Sequence, residues 1–292
     1  MKSGASLVAL RDQVVVVTGG GRGLGSVLAR SLAAEGAIVA VAGRSETDLT
    51  GIVAEIEAAG GRATSVTVDV TNREQVEAGI DYLERSLGRI DLLINNAGLF
   101  GPIANLWEAD PHEWWRTMEV HIGGTFLCSR AVLRNMISRR SGRVINVVSN
   151  AGVFRWPTCS AYSVSKAAVV KLTENLSVEM KPYGVSVFAF HPGLLPIGLS
   201  EQAMAMDVDP DSPSDRAISW VRGEIAAGRA VPAERAAEFI CRLASGQGDR
   251  LSGRYLTVFD DLRELAEQAE EIRHADLLTL RIQTPNIKDG HQ

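Results

Sequence analysis

Seven short apolar runs alternate with segments of helical periodicity along this chain, and that alternation restricts the fold more than any other feature. The runs fall at residues 14–18, 37–42, 64–70, 90–95, 143–149, 185–191 and 255–259. The helical patterns fall at 24–35, 46–59, 73–87, 111–139, 160–181 and 233–243. Such alternation argues for βαβ units and a parallel sheet covered by helices on both faces. Helix punctuation agrees. Asp110 precedes Pro111 as a cap residue before an N1 proline, Gly36, Gly60 and Gly88 follow three helix ends, and the fifth helix stops just before Pro182. The expected architecture is α/β, a doubly wound parallel sheet of about seven strands. With 292 residues, 46% of them apolar, the chain can bury one large core, and no Pro/Ser-rich linker, low-complexity tract or internal repeat divides it.

Composition narrows the function by exclusion. A net charge of −5 without a basic run argues against nucleic-acid binding. No apolar stretch approaches the ~18 residues of a membrane span. The opening residues hold too short an apolar segment for a signal peptide. Cys128, Cys159 and Cys241 have no metal-type spacing and suit a reducing cytoplasm, and the five histidines are scattered, so no metal site is expected.

The first apolar run leads into Thr18-Gly19-Gly20-Gly21-Arg22-Gly23-Leu24-Gly25, after which Val27, Leu28, Ala29 and Leu32 follow at helical spacing. Strand, glycine-rich turn and helix together form the context of a dinucleotide phosphate loop. Glycines let the backbone turn sharply and approach a pyrophosphate, and the helix directs free N–H groups and its positive dipole end at the anion. An ordinary tight strand-to-helix turn is the other reading. In open parallel sheets the ligand lies beyond the carboxyl ends of the strands, where Gly19, Gly43, Asp69, Asn95, Ser149 and Pro192 all fall.

Farther on, Ser149 is followed by Tyr162-Ser163-Val164-Ser165-Lys166. Residues four apart share a helix face, so this spacing sets a phenol beside an ammonium group. A nearby positive charge favours the phenolate, and an unperturbed tyrosine, titrating near ~10, is a poor acid–base group at neutral pH. Lys166 is thus expected to lower the pKa of Tyr162 and fit it for proton transfer.

Taken in order, Thr-Gly-x-x-x-Gly-x-Gly, Asn95-Asn96-Ala97-Gly98, Ser149, Tyr162, Lys166 and Pro192-Gly193 resemble the short-chain dehydrogenase/reductase family over roughly residues 8 to 258. The resemblance implies a Rossmann-type domain at 1–259 and an NAD(P)-dependent enzyme. Ser149 would orient the substrate oxygen, Tyr162 would exchange a proton with it, and Lys166 would bind the nicotinamide ribose. It further implies that Gly19, Arg22, Gly23, Leu24 and Gly25 hold the pyrophosphate. Asp69 and Val70 would meet the adenine, although Asp69 also suits a helix cap. Asn95, Ala97 and Gly98 would border the cofactor, and Pro192, Gly193 and Leu195 would lie along the nicotinamide. No acid stands at the end of the second strand to bind an unphosphorylated ribose, whereas Arg44 there, with Arg22, can hold a 2′-phosphate. NADP(H) is therefore expected as the preferred cofactor, with NAD(H) as the alternative; Arg44 as a solvated loop charge is the competing reading.

The chain departs from the family pattern in three places. His121, within Val120-His121-Ile122-Gly123-Gly124, replaces the asparagine that holds a water of the relay behind the lysine. Either its imidazole substitutes in that relay, or it is a buried neutral histidine. Ile197 replaces a threonine that contacts the nicotinamide carboxamide. Phe259-Asp260-Asp261 replaces an Asp-Gly-Gly near the C-terminus, where relatives make subunit contacts.

Residues 194–230 are expected to form a substrate-covering loop, a lid. Residues 260–292 are expected to form a helical extension carrying Leu262, Leu265, Ala269 and Ile272 on one stripe, packed on its own domain or on a neighbouring subunit of a dimer or tetramer. Phe154 and Trp156 beside the site suggest an apolar or ring-containing small-molecule substrate; Arg155 suits an anionic group or is an exposed loop charge, and Met204 and Met206 suit adaptable contacts or internal packing. The leading function is an NADP(H)-dependent carbonyl reductase or alcohol dehydrogenase in the cytoplasm. Reduction of an activated C=C or C=N bond, and cofactor sensing or partner binding without turnover, are the alternatives.

Overall fold

The computed structural model describes residues 10–282. The opening stretch read above for a leader (1–9) and the end of the expected extension (283–292) lie outside the described residues. Strands β1 (Val14–Thr18), β2 (Ile38–Gly43), β3 (Arg62–Thr67), β4 (Leu92–Asn95), β5 (Gly142–Val147), β6 (Val185–His191) and β7 (Tyr255–Thr257) form one sheet. Their order is β3-β2-β1-β4-β5-β6-β7, with every neighbouring pair parallel. The helices are α1 (Gly23–Ala34), α2 (Glu46–Ala58), α3 (Arg73–Leu87), α4 (Pro111–Met118), α5 (Gly124–Arg139), α6 (Ser160–Met180), α7 (Leu199–Met204), α8 (Pro213–Ala226), α9 (Ala233–Ala244), α10 (Leu262–Glu267) and α11 (Ala269–His274).

Successive side chains of a strand point to opposite faces, so the continuous apolar run of β1 serves two cores. Val15 and Val17 pack with Leu28 and Leu32 of α1, Leu49 of α2 and Ile240 of α9. Val14 and Val16 pack with Val76 and Leu83 of α3 and with Val132 and Met136 of α5. Each such valine, removed from water, contributes about 1.5 kcal/mol or more. This is the doubly wound Rossmann-type sheet, and the order reverses between β1 and β4, where a crevice opens at the carboxyl ends of the strands.

The elements differ from the sequence reading in four places. The third strand ends at Thr67, because Val68 and Val70 are apolar for another reason: past the sheet they fill the core under α3 and α5. The long helix expected over 111–139 is interrupted by a π turn at Glu119–Gly123, with Gly123 and Gly124 at its end. Gly124 there approaches Val70 so closely that a Cβ would stand 2.7 Å from the valine side chain. The segment expected to be a covering loop contains two helices, α7 and α8; Ser212 caps α8, Pro213 sits in its first turn, and Ile218 and Val221 are buried. The C-terminal stripe is split into α10 and α11 at Gln268. Leu262, Ala269 and Ile272 are buried in the same core as α1 and α9.

Beyond α11 the chain returns to the sheet. The Leu278 carbonyl accepts from the Tyr255 N–H at 2.8 Å, and Leu280 packs on Val148, Val169, Val170 and Ala189. Arg281 pairs with Glu174 of α6 at 2.6 Å.

Candidate active site

The carboxyl ends of β1 to β6 open into a cavity of about 600 Å³. One half of it is a backbone cradle. Gly19 takes φ +64°, a left-handed conformation that a side chain disfavours, and a Cβ there would stand 2.9 Å from Ala97 Cα. On Gly25 a Cβ would stand 2.1 Å from the Gly19 carbonyl oxygen. Thr18 locks the cradle to β4: its hydroxyl accepts from the N–H groups of Asn96 (3.0 Å) and Ala97 (3.1 Å) and donates to the Ile94 carbonyl. The Asn96 amide closes the other side, donating to the Thr18 and Gly19 carbonyls. No side chain caps the start of α1, so the first N–H groups of that helix are left for a ligand. Shape, glycines and helix end together fit a dinucleotide pyrophosphate.

Gly19, Arg22, Gly23, Leu24, Ala97 and Gly98 line this half, with Arg44, Asp69 and Val70 at its far end. Asp69 does not cap α3; Asn72 does, accepting from the Gln75 N–H. Burial raises the Asp69 pKa, but hydrogen bonds from the Thr71 backbone and hydroxyl, with Arg116 and Arg44 nearby, outweigh it and leave the carboxyl below its usual range. Pro192, Gly193 and Leu195 line the other wall beside Tyr162, and Ile197 lines it too.

Ser149, Tyr162 and Lys166 meet in the second half of the cavity. Ser149 follows β5, and its Oγ accepts from the Ala151 N–H at 3.2 Å, donates to Asn150 Oδ1 at 3.3 Å and lies near the Tyr162 hydroxyl. Tyr162 and Lys166 share the inner face at the start of α6. Acidification of the phenol by the lysine is corrected here. Burial pushes Tyr162 up to about 12, with the nearby Ser149 hydroxyl offsetting only part of it. Burial also lowers Lys166 to about 8, and its Nζ donates to the Val147 carbonyl at 2.9 Å, 5.6 Å from the centre of the tyrosine ring. The ammonium thus loses its charge above about pH 8, and the phenol stays protonated throughout the neutral range.

Two expected cofactor residues do not face the cavity. Asn95 lies in the interior, where its amide donates to Ser129 and Asn146; strand alternation turns its neighbour Asn96 outward instead. Gly25 lies behind the loop, where it permits close packing and offers no contact. Asn96, Phe100, Arg116, His191 and Trp220, none of them expected as site residues, also line the cavity. Asn96 lies within a motif already recognised, His191 adjoins one, and the Ser212-Pro213 helix start signals the element that carries Trp220. Nothing in the sequence marks Phe100 or Arg116. His191, 7% exposed, is kept neutral by burial, with its pKa near 4; its ring stacks on Tyr255 and its Nδ1 has no hydrogen-bond partner. Among the described residues no group of histidine, cysteine and carboxylate side chains is arranged to hold a metal, and no helix is long and apolar enough to cross a membrane.

A family model described as short chain dehydrogenase matches residues 13–207. The chain belongs to the short-chain dehydrogenase/reductase family. A short chain dehydrogenase of Pseudocercospora fijiensis (strain CIRAD86) is 32% identical to this member over 269 residues, covering 90% of the chain and 85% of that protein. A gluconate 5-dehydrogenase from Burkholderia cenocepacia J2315, solved with NADP and tartrate, superposes with a TM-score of 0.76 at 31% identity, over 86% and 95% of the two chains. An NAD+-bound xylitol dehydrogenase gives a TM-score of 0.77 at 28% identity, over 85% and 98%. This short-chain dehydrogenase is an NAD(P)-dependent oxidoreductase.

Proposed function

We propose that the enzyme exchanges a hydride between NADP(H) and a small, largely apolar carbonyl or alcohol substrate, with Ser149, Tyr162 and Lys166 as catalytic residues. One observation carries this reading: a protonated phenol beside Ser149 lines the cavity that continues into the glycine cradle. Hydride exchange is the chemistry that a nicotinamide dinucleotide supplies when bound. Ser149 donates a hydrogen bond to the substrate oxygen and fixes its position. In reduction the Tyr162 hydroxyl gives that oxygen its proton, and in oxidation the phenolate takes it back. A phenol held near 12 is in its donor form at neutral pH, which suits carbonyl reduction. Lys166, cationic below about pH 8, holds the ribose and stabilises the phenolate left behind. The remaining walls of the cleft, from Gly19 to Leu24, at Arg44, Asp69 and Val70, and from Pro192 to Leu195, bind the dinucleotide.

A panel of acetone, cyclohexanone and acetophenone with NADPH, and of the matching alcohols with NADP+, tests the reading. NADPH oxidation on enones or imines alone would move the activity to C=C or C=N bonds. Cofactor binding without turnover on any of these would make the protein a sensor.

Preference for NADP(H) rests on Arg22 and Arg44, which both line the cleft, and on the absence of an acid at the end of β2. Glu46 and Asp48 follow in the first turn of α2, and of these Asp48 lines the cleft. A charge-assisted hydrogen bond is worth about 1.5–3 kcal/mol, so Arg44→Asp should lower the NADPH to NADH ratio of kcat/KM by roughly 10- to 100-fold. An unchanged ratio would assign the choice of cofactor elsewhere.

The apolar character of the substrate rests on the wall around Tyr162. Phe100 stacks on the tyrosine ring at 5.0 Å, and Trp156 meets Trp220 of α8 edge-on at 5.2 Å. Trp220 is half-exposed, so Trp220→Ala should leave stability nearly unchanged while raising KM for acetophenone about tenfold and that for acetone little. Equal effects on both ketones would remove α8 from substrate selection. Exposed Trp115, Phe126, Val164 and Val178 on α4, α5 and α6 support a homo-oligomer, a dimer or tetramer, and the free cysteines support a cytoplasmic setting.

A further inference from the structure

His121 stands in the π turn between α4 and α5, its imidazole turned inward and 1% exposed. Its Nε2 accepts from the Leu99 N–H at 3.1 Å, so that nitrogen carries a lone pair. A neutral ring must then hold its proton on Nδ1, which lies 2.7 Å from Ser165 Oγ and donates to it. The Ser165 hydroxyl turns its own proton to the Tyr162 backbone carbonyl, also at 2.7 Å. The imidazole meets the Tyr162 ring edge-on at 5.5 Å, and Gly98 packs against it so closely that a Cβ there would stand 2.8 Å from Nε2. Burial, with the Lys166 charge nearby, keeps the ring neutral.

Both nitrogens are thus engaged by the protein, and neither is left to hold a water or pass a proton to Lys166. We infer that His121 is a positioning residue: it ties the Gly98–Leu99 wall of the cofactor cleft to the first turn of α6, and so fixes Tyr162 relative to the bound dinucleotide. Nε2 holds the wall, and Nδ1, through Ser165, holds the turn that carries the phenol. The inference rests on Tyr162 as the proton donor of the proposed function, but two of its readouts do not need turnover.

Imidazole ¹⁵N spectra of the full-length protein, with His121→Phe to assign the signal, should show a neutral ring protonated at Nδ1 from about pH 5 to about pH 8. Phenylalanine keeps a ring in place and removes both hydrogen bonds. NADPH titration should show His121→Phe binding about three- to tenfold more weakly and Ser165→Ala binding as wild type. With acetophenone, each variant should lower kcat about tenfold, and the double variant should be no worse than His121→Phe, because both break one chain. Multiplicative losses in the double variant, rescue of His121→Phe by added imidazole, or a ring that protonates within that pH range would overturn the brace in favour of a relay. If wild type turns over no ketone, the functional reading fails, while the spectra and the NADPH titration still decide the brace. If His121→Phe does not fold, the wild-type spectrum assigned by Ser165→Ala perturbation, with the kcat and NADPH affinity of that variant, decides it.

Discussion

Tyr162→Phe is expected to lower ketone reduction by roughly 10²- to 10⁴-fold while NADPH binds with unchanged affinity. The substitution removes a single oxygen. It keeps the ring that stacks on Phe100 and meets His121, so the α6 turn stays where it is. What is lost is the proton for the substrate oxygen and nothing of the glycine cradle. Initial rates with acetophenone beside a fluorescence titration with NADPH separate the two effects. Retention of more than about a tenth of the wild-type rate would mean that another group, or water, supplies the proton.

Gly25→Ala is expected to be as damaging for the opposite reason: it should abolish cofactor binding, and turnover with it. The new methyl would stand 2.1 Å from the Gly19 carbonyl oxygen and 2.7 Å from the Asn96 amide, both inside contact distance. Gly19 cannot retreat, since it is itself pressed on the Ala97 backbone and holds a left-handed φ. The loop must open or α1 must shift, at about 3 kcal/mol or more. Gly51→Ala in α2 is the matched control. Nothing lies within 4 Å of that position, so the change should raise stability by up to about 1 kcal/mol through helix propensity. Thermal unfolding and NADPH titration of the two variants check the contrast; wild-type affinity in Gly25→Ala would show that the cradle is not the pyrophosphate site.

The sheet was legible because its central strands, such as β1 and β4, are buried on both faces, and such a segment writes that in every residue. The glycine cradle was legible because backbone crowding admits little else. Orientation was harder to read. Asn95 and Asn96 are chemically identical neighbours, and only the phase of β4 decides that the first joins Ser129 and Asn146 while the second closes the cradle. Four-residue spacing correctly puts Tyr162 and Lys166 on one face, but not where the ammonium points; the Val147 carbonyl takes it, and burial then governs both groups. The π turn has no periodicity of its own, so the helix over 111–139 read as continuous although His121 depends on the break. Helix α8 did carry a readable start at Ser212-Pro213, masked by the Met, Asp and Pro residues before it.

The return of the chain beyond α11 bears on how firmly the catalytic residues are held. Leu280 completes the small core that backs Val148, next to Ser149, and Arg281 reaches Glu174 on the helix of Tyr162 and Lys166. Leu280 and Arg281 thus buttress the catalytic half of the cleft rather than the glycine cradle, so losing their contacts would cost turnover before it cost nucleotide affinity.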